Sequence, residues 1–95
     1  MALWIVRHAR PQIAPGICYG VLDVQADAAA TDLAARELAD ALPKEVLLRV
    51  SPLTRCQQLA RALCALRADL RAHTDPRLRE MDFGCWEGVA WDAIP

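Results

Sequence analysis

Glu45-Val46-Leu47-Leu48-Arg49-Val50-Ser51-Pro52 is the stretch that decides the fold. An apolar run of strand character ends there in serine and proline, the residues preferred at a helix cap and at the first helical position. The stretch therefore predicts a strand over Glu45 to Val50 that passes directly into a helix reaching about Arg67, with Cys56, Leu59, Leu63 and Leu66 as its apolar stripe. Leu70 to Thr74 reads as the next strand and Asp75-Pro76 as a turn. On the other side, Pro43 closes a helix expected from about Asp27 to Leu42. Its apolar stripe is Ala30, Ala34, Leu38 and Ala41, and Asp32, Arg36 and Asp40 form a charge ladder on the opposite face. Ala2 to Arg7 is a further apolar run ending in charge and reads as a buried strand. His8 to Gln25, broken by Pro11, Pro15, Gly16 and Gly20, is a loop longer than most strand-to-helix connections. Val89 to Ile94 resembles the start of another helix. Strands alternating with helices predict an α/β fold with a parallel sheet.

The chain has 95 residues, 55% of them hydrophobic, which suits one small globular domain. Net charge is -1, so no overall basic field favours nucleic acid or an anionic membrane, and any anion site has to be local. The first apolar run stops at Arg7, too early for a signal peptide or a membrane span, and a cytoplasmic location is the default expectation. Cys18, Cys56, Cys64 and Cys85 form no CxxC pair, and His73 is the only histidine besides His8. Structural zinc is not expected, and the cysteines read as free thiols.

In open parallel sheets ligands bind beyond the carboxyl ends of the strands. Three groups of residues fall there: Arg7, His8 and Arg10; Ser51, Pro52 and Arg55; Arg79, Glu80, Asp82 and Glu87. A helix starting at Pro52 would aim unsatisfied N–H groups at the top of the sheet, and the planar guanidinium of Arg55 could grip two oxygens of a bound phosphate. A neutral imidazole beside two arginines suggests nucleophilic attack on phosphorus, with Glu80 as the proton donor. Singly, each residue has an ordinary structural explanation. Their shared position at the strand ends is what makes a site.

The runs Leu3-Trp4-Ile5-Val6-Arg7-His8, Ser51-Pro52-Leu53-Thr54-Arg55-Cys56-Gln57-Gln58 and Leu78-Arg79-Glu80-Met81-Asp82-Phe83-Gly84-Cys85-Trp86-Glu87-Gly88 resemble, in order and spacing, the histidine phosphatase superfamily. This is the clan of phosphoglycerate mutases and fructose-bisphosphatase-like enzymes. Cys18-Tyr19-Gly20 through Asp23-Val24 is most similar to its small bacterial members, the α-ribazole phosphatase-like enzymes. The resemblance implies a three-layer αβα sandwich with a mainly parallel sheet, of which residues 1–95 would form about half of one domain.

The resemblance also implies roles. His8 would accept the phosphoryl group, Arg7 and Arg55 would bind its oxygens, and Glu80 would protonate the leaving oxygen and then activate water. No metal or other cofactor is called for. His8 has to be neutral, its second ring N–H held by an acceptor such as a backbone carbonyl in the following loop. Arg10, Tyr19 and Gly20 are candidates for binding the rest of the substrate, and Arg79 and Trp86 for lining the pocket, although Trp86 is expected to pack. The implied activity is phosphomonoester hydrolysis through a phosphohistidine, on a small phosphorylated metabolite. The first candidate is α-ribazole 5′-phosphate of cobalamin biosynthesis. Mutase-type phosphoryl transfer is the alternative enzyme, and a weakly active phosphate-binding or interaction module is the alternative of another class.

Several positions depart from the family pattern. Ala9 stands where glycine is usual after the histidine, and would be strained if positive φ were required. Arg10 replaces an acidic or amide residue, and Ala14 and Pro15 occupy the region of a phosphate-contacting asparagine. The family's second phosphate-binding histidine is absent, and His73 lies in a candidate strand. Without the later strands an exposed sheet edge would favour self-association.

Overall fold

The computed structural model describes residues 3–95. Its regular elements are α1 (Ala28–Ala41), β1 (Leu48–Val50), α2 (Thr54–Leu66) and β2 (Ala72–Thr74), followed by single 3-10 turns at Pro76–Leu78, Gly84–Trp86 and Trp91–Ala93. β1 and β2 are parallel, with Leu48 opposite Ala72, Arg49 opposite His73 and Val50 opposite Thr74. β1-α2-β2 is thus the crossover unit expected from Glu45 to Pro52, and the α/β class holds. Both strands are shorter than expected, for local reasons. Glu45 takes a left-handed conformation with φ 55°, which turns its backbone out of the strand line. Leu70 donates its N–H back to the Arg67 carbonyl at 3.1 Å instead of to a neighbouring strand.

The start of α1 is where the sequence puts it. Asp27 is the N-cap, its Oδ2 accepting from the Ala30 N–H at 2.9 Å, and the helix gives way at Leu42 before Pro43. Asp27→Ala is expected to lower the unfolding free energy by about 1 kcal/mol. An unchanged urea midpoint would show that the cap is idle. The buried face is turned from the predicted stripe: Thr31 and Ala35 are buried while Ala41 is exposed. A threonine can lie inside because its hydroxyl donates to the Asp27 carbonyl at 2.8 Å.

α2 begins at Thr54, two residues after Pro52, and Ser51 is not its cap. The Ser51 Oγ instead accepts from the Leu53 N–H in a local turn at 3.3 Å. Asp23 does the capping from a distant loop, accepting the Thr54 N–H at 2.6 Å and the Thr54 hydroxyl at 2.7 Å. Arg55, Leu59, Ala60 and Leu63 form the buried side, and Leu66 is exposed. The core, Ala35, Leu42, Leu59, Leu63 and Leu70, lies where α1, α2 and the strand ends converge, with Leu38, Ala39, Val46 and Leu48 packed against it.

Arg67, the C-cap of α2, braces both connections to the sheet. Its Nη1 donates to the carbonyls of Ala39 (2.8 Å) and Leu42 (2.9 Å), its Nη2 to that of Pro43 (3.1 Å), and Nε and Nη2 to Asp69 (each 2.8 Å). Asp69 in turn accepts the Glu45 N–H at 2.8 Å. The Arg67 guanidinium, hydrogen-bonded to Asp69, holds that carboxyl well below the usual range.

The first predicted strand is not formed. Its residue Ala2 lies outside the described residues, and Leu3 to Arg7 pair with no strand among them. Leu3 and Ile5 are 86% and 88% exposed. A cleft of about 780 Å³ separates this segment from β1 and the adjoining faces of α1 and α2. A strand apolar on both faces is stable only with neighbours at its edges and cover on its faces. Here it has neither. The chain is first anchored at Arg10, whose carbonyl accepts the Asp27 N–H at 2.7 Å, and at Gln12, whose N–H donates to the Gln25 carbonyl at 2.6 Å. Gln58 of α2 completes the anchor, its side-chain amide accepting from the Ala26 N–H and donating to the Ala26 carbonyl.

Val89 to Ile94 does not open as an α-helix. Ile17 bridges to Ala90, and the Trp91 N–H donates to the Gly16 carbonyl at 2.8 Å, which commits this backbone to the loop opposite. Among the described residues no helix is long and apolar enough to cross a membrane.

Candidate active site

Arg7, His8 and Glu80 all line the 780 Å³ cleft, together with Ser51 and Cys56. The fold brings them there from two directions. His8 follows the unpaired segment, and Glu80 follows the turn that begins at the carboxyl end of β2. Asp75 fixes that turn. It accepts the backbone N–H and two guanidinium nitrogens of Arg77, at 2.7 to 3.0 Å, and these bonds bring its carboxyl down to about 2. Its own N–H donates to the Val50 carbonyl at 2.8 Å, tying the turn to β1.

His8 is half-buried, and its Nδ1 lies 2.7 Å from the Ala9 carbonyl oxygen. With the proton on Nδ1 that carbonyl accepts it, and Nε2 keeps its lone pair, which is the tautomer a nucleophilic imidazole requires. Ala9 is not strained, since Glu45 is the only non-glycine residue with positive φ among those described. The glycine usual at this position is not needed for the conformation adopted here.

Arg55 lies elsewhere than the sequence suggests. Its side chain is fully buried and is not part of the lining of the cleft. Nη1 donates to the Leu22 carbonyl at 2.7 Å, Nη2 donates to the Gly20 carbonyl, and the guanidinium carbon sits 5.1 Å from the centre of the Tyr19 ring. Its Nε is buried with no hydrogen-bond partner. The helix N-terminus beside it is also engaged, because the Asp23 carboxylate occupies it. The bonds from Thr54 hold Asp23 below its usual carboxylate range.

The remaining candidates divide. Tyr19 and Gly20 lie in the loop against Arg55. Gly20 has no room for a side chain: a Cβ there would collide with the Met81 carbonyl and come within 2.9 Å of the Phe83 ring. Arg10 points away, exposed and 3.9 Å from Asp27. Arg79 borders a smaller cleft of about 230 Å³ with Val21, Asp23, Pro52 and Leu53. Trp86, expected to pack, is partly exposed, and the packed aromatic pair is Phe83 edge-on to Trp91 at 5.6 Å. His73 is exposed on β2. Burial pushes the Cys56 thiol up, away from reactivity. No cluster of His, Cys, Asp or Glu that could hold a metal occurs among the described residues.

Sequence reasoning missed Glu87 as an organiser of the site. Its Oε1 accepts the N–H groups of Gly20 and Leu22, each at 2.8 Å, and its Oε2 accepts that of Phe83 at 3.0 Å. Burial alone would raise this carboxyl, but the N–H groups of Gly20, Leu22, Phe83 and Val21 outweigh it and hold the pKa below the ordinary value. A glutamate beside Gly88 in an irregular loop gives no periodic signal of such a role.

Comparison with known proteins points the same way. The model of the histidine phosphatase superfamily (branch 1) matches residues 3–95. The structure is similar to the mycobacterial glucosyl-3-phosphoglycerate phosphatase, with TM-score 0.73 and 26% identity, covering 87% of this chain and 40% of that one. It is similar also to TTHB049 from Thermus thermophilus, with TM-score 0.70 and 32% identity over 95% of this chain and 49% of that one. The phosphoserine phosphatase of Entamoeba histolytica shares the fold, with TM-score 0.65 and 21% identity over 81% of this chain and 38% of that one. No curated protein matches the sequence significantly. The chain thus spans between about two fifths and half of the length of these solved relatives. A family match running from Leu3 to Pro95, over a parallel β-α-β unit with His8 and Glu80 on one cleft, places this chain in the histidine phosphatase superfamily, branch 1.

Proposed function

We propose that this chain belongs to a phosphoric monoester hydrolase that works through a phosphohistidine at His8. The observation that carries the reading is the contact between His8 Nδ1 and the Ala9 carbonyl, which leaves Nε2 free on a cleft that Arg7 and Glu80 also line. Nε2 attacks phosphorus and the bond to the ester oxygen breaks, the leaving oxygen taking a proton from Glu80. Water then attacks the phosphohistidine and gives a proton to Glu80. Phosphate leaves, and His8 and Glu80 return to their starting states. Arg7, which lines the cleft, offsets the charge on the phosphoryl oxygens. Arg55, expected to share that role, is instead held by the carbonyls of Gly20 and Leu22 and does not line the cleft.

The substrate class is a small phosphorylated metabolite. Titles of the solved relatives name a glucosyl-3-phosphoglycerate phosphatase, also bound to inorganic phosphate, and a phosphoserine phosphatase in complex with 3-phosphoglyceric acid. α-Ribazole 5′-phosphate remains the first substrate to try. A cytoplasmic setting suits the four free cysteines. Self-association would use the exposed Leu3 to Val6 segment.

Rapid acid-free quenching after mixing with a radiophosphate-labelled phosphomonoester is expected to trap label that is stable to alkali, labile to acid and confined to the peptide containing His8. Turnover with no such label, or with acid-stable label, would overturn the mechanism.

A further inference from the structure

Asp75 has no place on the cleft, yet all of its polar groups join β1 to the turn that precedes Glu80. It sits just past β2 and is 7% exposed. Its N–H donates to the Val50 carbonyl at 2.8 Å, and its carbonyl accepts the Leu78 N–H at 3.0 Å. Oδ1 accepts the backbone N–H and the Nε–H of Arg77, each at 3.0 Å, and Oδ2 accepts from Arg77 Nη2 at 2.7 Å, with Arg49 Nη1 4.0 Å away. The Arg79 N–H closes the turn on the Pro76 carbonyl at 3.2 Å. Leu78 and Glu80 then line the larger cleft, while Arg79 between them borders the smaller one. Glu80 forms no ion pair among the described residues. What delivers its carboxylate to the cleft is the direction of the backbone leaving the turn, and Asp75 sets that direction.

We propose that Asp75 is a positioning residue for Glu80, acting through the turn Pro76–Leu78, and that it thereby governs how well the enzyme expels leaving groups that need a proton. The claim rests on the reading of Glu80 as the proton donor. Asp75 touches no reacting atom. A general acid works only within hydrogen-bond reach of the oxygen it protonates, so a turn displaced by about 1 Å withdraws the donor. Arg7 and His8 reach the cleft from another segment and stay where they are. The loss is then selective. p-Nitrophenolate departs without a proton, whereas the alkoxide of benzyl phosphate has to be protonated as its bond to phosphorus breaks.

The test compares kcat/KM for these two esters in the whole chain, because kcat/KM ends at formation of the phosphohistidine and excludes the later step in which Glu80 acts on water. Glu80→Gln is expected to lower the value for benzyl phosphate on the order of a hundredfold and that for p-nitrophenyl phosphate much less. Asp75→Ala should lower the ratio of the two values, benzyl over p-nitrophenyl, about tenfold. The double variant should show the ratio of Glu80→Gln alone, since an absent acid cannot be misplaced. Asp75→Asn keeps an oxygen on the Arg77 N–H, gives up the bond to Nη2, and should restore most of the ratio. Pro76→Gly loosens the same turn at an exposed position and should lower the ratio in the same sense, so the test stands even where Asp75→Ala fails to fold. An equal fall for both esters in Asp75→Ala, an additive double variant, or an unchanged ratio in Pro76→Gly would overturn the proposal while leaving Glu80 as the acid. A ratio unmoved by Glu80→Gln would instead remove Glu80 as proton donor, and the positioning role with it.

Discussion

His8→Ala is expected to reduce phosphate release from p-nitrophenyl phosphate by a factor on the order of a thousand or more, to the uncatalysed background. The size follows from the role. A nucleophile that forms the covalent intermediate leaves no alternative first step when it is removed, whereas loss of a residue that merely binds phosphate leaves the chemistry in place. Folding should not confuse the result, because His8 lies outside the core and its one hydrogen bond is to its own neighbour Ala9. The unaltered chain is expected to turn over slowly, since the second family histidine is not among its residues. Equal rates for the two proteins would remove His8 from the mechanism.

Arg67→Ala is expected to have the largest effect on stability, lowering the urea midpoint clearly further than Asp27→Ala does. The substitution strips a cation from the carbonyls of Ala39, Leu42 and Pro43, at the negative end of the α1 dipole, and leaves Asp69 without its partner. Asp69 also holds the Glu45 amide, so the left-handed turn into β1 loses support in the same step. Arg67→Lys should recover only a minor part, because one ammonium cannot fork to carbonyls and carboxylate at once. A midpoint shift no larger than that of Asp27→Ala would mean that these bonds only replace equally good ones to water.

The parts of the fold that were legible in the sequence are those that short-range rules govern. Asp27, the apolar spacing of both helices and Pro43 mark α1 and α2 because cap chemistry and helical period are local. The start of α2 was misplaced because its cap is Asp23, thirty-one positions away in the chain. Ala2 to Arg7 was read as a strand because its composition suits one, but pairing depends on neighbours that composition does not reveal. His8 and Glu80 do line one cleft, but the strand that was to present His8 is not formed, and only Glu80 follows a strand end, through the turn after β2. The burial of Arg55 beneath Gly20 and Leu22 was not legible, since nothing in its surroundings in sequence distinguishes a buried guanidinium from a solvated one. The roles of Glu87, which was placed only among the strand-end residues, and of Arg67 were missed for the same reason. Both act on backbone groups, which every residue carries and which leave no mark on side-chain patterns.

The loop over Arg55 also has a consequence in time. Gly20 and Glu87 are separated by 67 positions, and Leu22 and Glu87 by 65. α1, β1, α2 and β2 lie between them, and their core forms from partners much closer along the chain. Contacts that close so long a loop carry the largest entropic cost and are repaid only when the intervening elements already hold the ends together. The helices and the sheet are therefore expected to form first, and the loops of Gly20 and Glu87 to meet afterwards. The loop around Arg55 is thus expected to be among the last parts of the molecule to assemble and the first to open.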